Sequence, residues 1–409
     1  MPDMHDVSAP IPPPADRMAI DSPDAAIERV RSAATDTTPL VDYGDFHAGL
    51  GHRPPVMHRR YRYTHDVIEH HQHDLVVKAA AGATLGQLQR ELARHGQFLP
   101  LDGDQELTIG ELILHNVWGP LRIGFGAARD LLLGARFIDG RGGDIRTGGR
   151  TVKNVAGYDL SRFMVGSLGE MGMLIEATLR TAATPAHVRL LELALDTPAR
   201  LDEAIPHLLT TDAAPAAMDL AASDGRWVLR LGYFGQEQDT RYQAGALEQW
   251  LTEAGLATAD TGLQRDGGDL PAWQQRAAEH RAWQKGAAAL LKLILPPAVT
   301  GKVLEDLHRH LPGAGLHWLA YPAHGVIWVG GDADAAALGP LDARAAEHTI
   351  AHAGMKAWYR RPDDARHLAA FAPPQPDWPL LARIRHALDP QRLFNPGRML
   401  PPLMEGRDE

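Results

Sequence analysis

The sequence predicts an α+β protein built from two regions of different texture, and three observations predict it. Between Asp130 and Thr181 ten glycines alternate with two strand-length apolar runs, Leu131–Ile138 and Gly172–Leu179. Such runs read as buried strands, and the glycines between them as tight turns or close backbone approaches. From about residue 185 to 380, strand candidates alternate with helix candidates and glycine loops are scarce, the pattern of a sheet with helices laid on it. The length, 409 residues, suits two or three domains with ample chain for a core.

In chain order, residues 1–20 hold five prolines and little apolar periodicity, so they read as a mobile tail. Ser22-Pro23-Asp24 opens a helix, with serine as cap and proline at the first position. A strand candidate follows at Pro39. Thr64–His73 (THDVIEHHQH) is the densest histidine cluster. Imidazoles are common metal ligands, but the cluster reads as a solvated connecting turn in a histidine-rich chain, and no metal site is assigned. Thr84 caps a helix whose Leu85, Leu88 and Leu92 recur at helical spacing, with Gly96 as its left-handed end. Later, HVRLLELAL, RWVLRLGYFG, ALLKLILPP and GVIWVGG read as strands, while YQAGALEQWLTEAG and TGKVLEDLHRHLP read as helices.

Gly166-Ser167-Leu168-Gly169-Glu170-Met171-Gly172 places bare amides in sequence, an anion-binding concavity that suits a pyrophosphate. The net charge of −10 argues against a general nucleic-acid binder. Cysteine is absent, which excludes disulfides, thiolate zinc and iron–sulfur ligation within the chain. No run approaches the 18 apolar residues of a membrane span, and the proline-rich N-terminus lacks a signal-peptide layout, so the cytoplasm is the expected compartment.

KNVAGYDLSRFMVGSLGEMGMLIEATLR resembles the signature of the PCMH, or vanillyl-alcohol-oxidase-type, FAD-binding family, in particular the E-type subunits of glycolate-oxidising dehydrogenases. Blocks from Asp74, Thr108 and Asp389 fit the same family in the same order. The resemblance implies a PCMH-type domain of two α/β subdomains, residues 21–182 completed by 386–409, under an α+β cap at 185–385. It implies FAD as cofactor, and as partners a D-type flavoprotein and an F-type iron–sulfur subunit, through which the chain would lie peripheral to a membrane. Carried over by position, the flavin contacts are Gly44 in the first segment, then Thr108, Ile109, Gly110, Asn116 and Gly119 in the second. Lys153, Tyr158, Gly166, Ser167, Gly169, Gly172 and Met173 follow, with Asn395 near the ring or the cap.

The chain departs from the family at Asp45, Glu111 and Trp118, where glycines or small residues are usual. A carboxylate about 4 Å from a phosphate oxygen costs roughly 4 kcal/mol at an effective dielectric of ~20, about a thousandfold in affinity. Two readings stay open: a flavin-holding subunit, or a scaffold that keeps the fold without the flavin. No catalytic residue stands out. His317, His324, Arg360 and Arg361 are candidates by position only, and Trp283, Trp318, Trp328 and Trp358 read as core before cavity lining.

Overall fold

The computed structural model describes residues 18–42, 59–149, 160–223, 226–256, 264–266, 270–311, 315–333, 335–365 and 367–399. The chain opens with β1 (Met18–Ile20), α1 (Pro23–Asp36), β2 (Leu40–Val41) and β3 (Arg59–Tyr63). Ser22 caps α1, its side chain accepting from the Ala25 amide at 3.2 Å. The three strands form a small parallel sheet in the order β1-β3-β2, and Ala26, Val30 and Ala33 of α1 are buried in the core of this half.

Next come β4 (Ile68–His71), β5 (Val76–Ala80), α2 (Leu85–Ala93), β6 (Gln97–Phe98), α3 (Ile109–Leu114), α4 (Arg122–Phe125) and α5 (Ala128–Leu131). Then follow β7 (Leu132–Ile138), β8 (Asp144–Gly148), β9 (Met173–Arg180) and β10 (Ala182–Ala183). An antiparallel sheet runs β4-β5-β9-β7-β8. The two glycine-flanked apolar runs are β7 and β9, neighbours at its middle. The histidine-rich stretch is not a plain connecting turn. Residues 68–71 are the edge strand β4, paired with β5 from Ile68–Ala79 to His71–Val76.

The second half supplies β11 (His187–Leu195), α6 (Leu201–Thr210), β12 (Ala217–Ser223), β13 (Arg226–Gly235), α7 (Glu237–Glu253) and β14 (Gln264–Asp266). A long helix, α8 (Leu270–Gly286), leads to β15 (Ala289–Ile294), α9 (Thr300–His310), β16 (Leu316–Tyr321), β17 (Val326–Gly331), α10 (Ala335–Ala351) and β18 (Met355–Arg360). Each set is a β-α-β-β-α-β unit, and the two join edge to edge through β12 and β16 in the sheet β14-β11-β13-β12-β16-β17-β15-β18-β19, where β19 is Phe371–Ala372.

Strand alternation sorts that sheet's two faces. Leu291 and Leu293 of β15, Trp318 and Ala320 of β16, Ile327 and Val329 of β17 and Trp358 of β18 join the core under α6, α7, α9 and α10. Leu290, Leu319, Tyr321, Val326, Trp328, Ala357 and Tyr359 point the other way, onto Leu168, Trp118 and Met399 of the first half. The chain closes with α11 (Trp378–Leu388) and a strap that returns to β2. The Leu40 amide donates to the Leu393 carbonyl at 2.6 Å, and the Asn395 amide to the Leu40 carbonyl at 3.0 Å.

Candidate functional site

Two adjacent places emerge: a crevice in the first half and the seam under the large sheet. The crevice is lined by Asp42, Tyr61–Tyr63 of β3, Ala81, the start of α3 (Thr108, Gly110, Glu111), His115 and the start of β9 (Met173, Leu174), and its free volume is about 40 Å³. Of the expected cofactor residues it gathers Thr108, Gly110 and Met173. Gly110 lets α3 close on the turn before α2, since a Cβ there would lie 3.1 Å from the Ala81 carbonyl.

Glu111 is engaged at the head of its own helix. Its carboxylate accepts from the Thr108 amide at 3.0 Å and hydroxyl at 3.1 Å, while Thr108 Oγ1 accepts from the Glu111 amide, a capping box at the head of α3. The Ile109 and Gly110 amides are engaged by the Ala83 and Ala81 carbonyls, both at 2.8 Å.

The glycine run expected to cradle a pyrophosphate is arranged otherwise. The amides of Gly166 and Leu168 donate to the Ile113 and Leu114 carbonyls at 3.0 and 2.8 Å, capping the C-terminal end of α3. Those of Ser167 and Glu170 donate to the Met164 and Ser167 carbonyls, and that of Gly169 to Ser167 Oγ at 3.2 Å. Gly169 (φ +77) lies under Asn395, whose Nδ2 would be 2.2 Å from a Cβ there. Asn395 itself is 1 % exposed. Its Oδ1 accepts from the Asp42 amide at 2.8 Å, and its Nδ2 donates to the Leu168 and Asp42 carbonyls at 3.0 and 3.2 Å. Gly172 permits a close approach to β7, with the Ile138 carbonyl 2.8 Å from its would-be Cβ. These residues form a buried junction of α3, β9 and the C-terminal strap, and the amides of 166–170 do not form an anion concavity. Gly44, Asp45, Lys153 and Tyr158 lie outside the described residues.

The seam holds what the sequence reading missed. Lys292 projects from β15 between Leu290 and Ile294, and its ammonium lies 5.1 Å from the ring centres of Trp118 and Trp328 and 6.0 Å from that of Tyr359. Burial, then Arg281 and Arg122, push its pKa down to about 7. The Arg122 guanidinium stacks on Trp118 at 4.2 Å. His324 packs edge-on against the same indole at 5.5 Å. Its Nε2 is buried without a partner, and desolvation lowers its pKa to about 4, so the ring is neutral. Asp102 accepts from the Leu121 amide at 2.8 Å, and burial raises it to about 7. Gly119 sits at this seam's first-half wall beside Trp118, while Asn116 (φ 48) lies against Gly166 with its Oδ1 buried and unpartnered. Only about 10 Å³ is free beside Trp118 and Arg281.

Of the positional candidates, His324 reaches the seam; Arg360 and Arg361 bind main-chain carbonyls of Gln284, Lys285 and Leu368. Trp318 and Trp358 are core, as expected, whereas Trp328 and the half-buried Trp283 face the seam. One signal was present in the sequence: Lys292 is a lone cation in an otherwise apolar strand run.

Residues 20–148 match a family model described as FAD binding domain. The chain is 37% identical over 165 residues to glycolate oxidase subunit GlcE of Escherichia coli (strain K12), covering 39% of this chain and 47% of that one. It is 32% identical over 127 residues to glycolate oxidase subunit GlcD of Bacillus subtilis (strain 168), covering 31% and 27%. The chain thus spans about half, or less, of the length of these relatives. In fold it resembles alkyldihydroxyacetonephosphate synthase, with a TM-score of 0.67 at 13% identity over 93% of this chain and 76% of that one.

Among the described residues, the amides of Ile109, Gly110 and Gly166–Glu170 are all taken up by protein acceptors. What relates the chain to flavoproteins is the sequence of residues 20–148, which is similar to the FAD binding domain family.

Proposed function

We propose that this chain is the FAD-binding subunit of a dehydrogenase that oxidises a 2-hydroxy acid, glycolate first among them, and works with a D-type flavoprotein and an F-type iron–sulfur subunit. The observation that carries the reading is the cationic, aromatic seam between the two halves. A small carboxylate is an anion that Lys292, Arg281 and Arg122 would hold, and the neutral His324 ring has a free nitrogen facing its surroundings that can take up a proton. A bound flavin would supply the electron acceptor. The relatives' names support the substrate class and the assembly. No helix among the described residues is long and apolar enough to cross a membrane, which suits membrane attachment through partners.

A second reading, a scaffold that docks to the same partners without flavin, is favoured by the engaged amides of Gly166–Glu170 and by Trp118 in the seam. The chain should be purified alone and co-expressed with D-type and F-type subunits, then assayed for acid-released FAD by absorbance between 350 and 500 nm. About one flavin per copy of this chain, with partners co-purifying, supports the first reading. A colourless chain that still assembles overturns it in favour of the scaffold.

A further inference from the structure

We propose that His70, Glu91 and His95 form a binding site for a divalent transition-metal ion, zinc above all, on the outer side of the first half. The site shares no lining residue with the crevice or the seam. One ligand atom from each of the three residues lies within 4.8 Å of the others. Glu91 lies in the last turn of α2 and His95 just past its cap, where the chain brings the two side chains together, and His70 comes across from β4, its ring centre 5.0 Å from that of His95.

The tautomer of His70 is set by its neighbours. The Gln97 amide group donates to the Gln72 carbonyl at 2.8 Å, which turns its oxygen toward Thr181 and His70. That oxygen, 3.0 Å from His70 Nε2, can only accept, so Nε2 carries the proton. Nδ1 is left as a lone pair, buried and without a partner. Buried polar atoms seldom stay unpaired, and a ring N–H held by a protein carbonyl is the way metal-binding imidazoles are oriented.

Glu91 brings the negative charge. Its Oε1 lies 3.9 Å from His95 Nε2, and its Oε2 meets Arg94 Nη1 at 2.6 Å, an exposed pair that a cation would outcompete. The hollow, about 460 Å³, is also lined by His71, His73 and Asp74 and opens to solvent, which leaves a fourth position for water. Two imidazoles, one carboxylate and an open position suit zinc, with nickel and copper as chemical neighbours, and do not suit magnesium. Zinc would tie the edge strand β4 to the end of α2.

The test uses the full chain, free of any affinity tag and stripped with chelator, titrated with zinc sulfate against a chromophoric competitor and followed in parallel by thermal unfolding. One equivalent is expected to bind and raise Tm, while magnesium does neither. H70A and H95A should each weaken zinc binding at least tenfold and abolish the Tm rise. E91Q, at a partly exposed side chain, reports the same loss should H70A fold poorly, and H73A should bind as wild type. Absence of uptake, or uptake unchanged in H95A and E91Q, overturns the proposal.

Discussion

Replacing Lys292 by methionine keeps the side chain's length and removes its charge, and the seam sets the size of the effect. Burial beside Arg281 and Arg122 lowers the ammonium from 10.5 to about 7. At about 1.4 kcal/mol per pH unit, a fully desolvated group would carry a penalty of about 5 kcal/mol. Two indoles at 5.1 Å return up to about 2 kcal/mol as cation–π attraction, and the side chain keeps some exposure, so the net penalty is about 1–3 kcal/mol. The sign follows from linkage. Between pH 7 and 10.5 the unfolded chain binds more protons than the folded one, so stability rises with pH across that window. K292M should therefore be more stable than wild type at pH 7, with the advantage shrinking toward pH 10. Urea unfolding at pH 6, 7, 8 and 9.5 measures it. A K292M variant less stable at pH 7, or an advantage that does not shrink by pH 9.5, would refute the account of Lys292 as a poorly compensated cation. If Lys292 also holds a carboxylate, glycolate should raise the Tm of wild type and leave K292M unmoved.

Other outcomes follow from the contacts around the crevice. Glu111→Gly removes the capping box and adds a flexible residue to α3, an expected loss of about 2 kcal/mol in chemical denaturation with flavin content unchanged. Gly169→Ala puts a Cβ in a left-handed position and onto Asn395, and should cost about 2–4 kcal/mol, read as a lower urea midpoint. The Asp306 carboxyl is held well below the usual range by Arg344, then His348, so its contribution is present above about pH 4 and lost as pH falls. The stability gap between wild type and D306N should accordingly close on acidification.

Elements whose signals are local were legible in the sequence. Ser22 and Thr84 cap α1 and α2, Gly96 takes φ +64 just past α2, and the runs on either side of the glycine-rich stretch are β7 and β9. What failed depended on distant partners. The amides of Gly166 and Leu168 look bare in sequence because the carbonyls that accept them, Ile113 and Leu114, are some fifty residues away and become neighbours only when α3 packs on β9. Glu111 reads as an intruder by position, yet its capping box with Thr108 lies within four residues and was open to recognition as the T-x-x-E pattern. β4 was hidden by polar residues, since an edge strand with one solvated face needs few apolar side chains. Lys292 was passed over because a strand run conceals a single cation until the sheet's faces are assigned.

Trp118 is where the two functional readings separate. It closes the seam by touching both halves: its ring centre lies 5.6 Å from that of Tyr321 and 5.5 Å from that of His324, with Arg122 and Lys292 over its faces. Trp118→Ser removes a large side chain that bridges the halves. Full burial of tryptophan would put the loss at 3–5 kcal/mol, and because Trp118 is only partly buried the expected loss is about 1–3 kcal/mol. The space released would be lined by Lys292, Arg122, Tyr321 and His324, whose Nε2 is already buried and unpartnered, polar groups suited to a ligand and unsuited to vacancy. If the wild-type chain is colourless, W118S incubated with FAD should gain bound flavin, measured after gel filtration as absorbance near 450 nm per mole of chain. Stable, folded W118S that remains colourless would mean that the engaged amides of Gly166–Glu170, and not the indole, keep the dinucleotide out. Wild type that already carries one FAD per chain would require Trp118 to swing clear of Tyr321 on binding, and W118S should then bind flavin no less tightly than wild type.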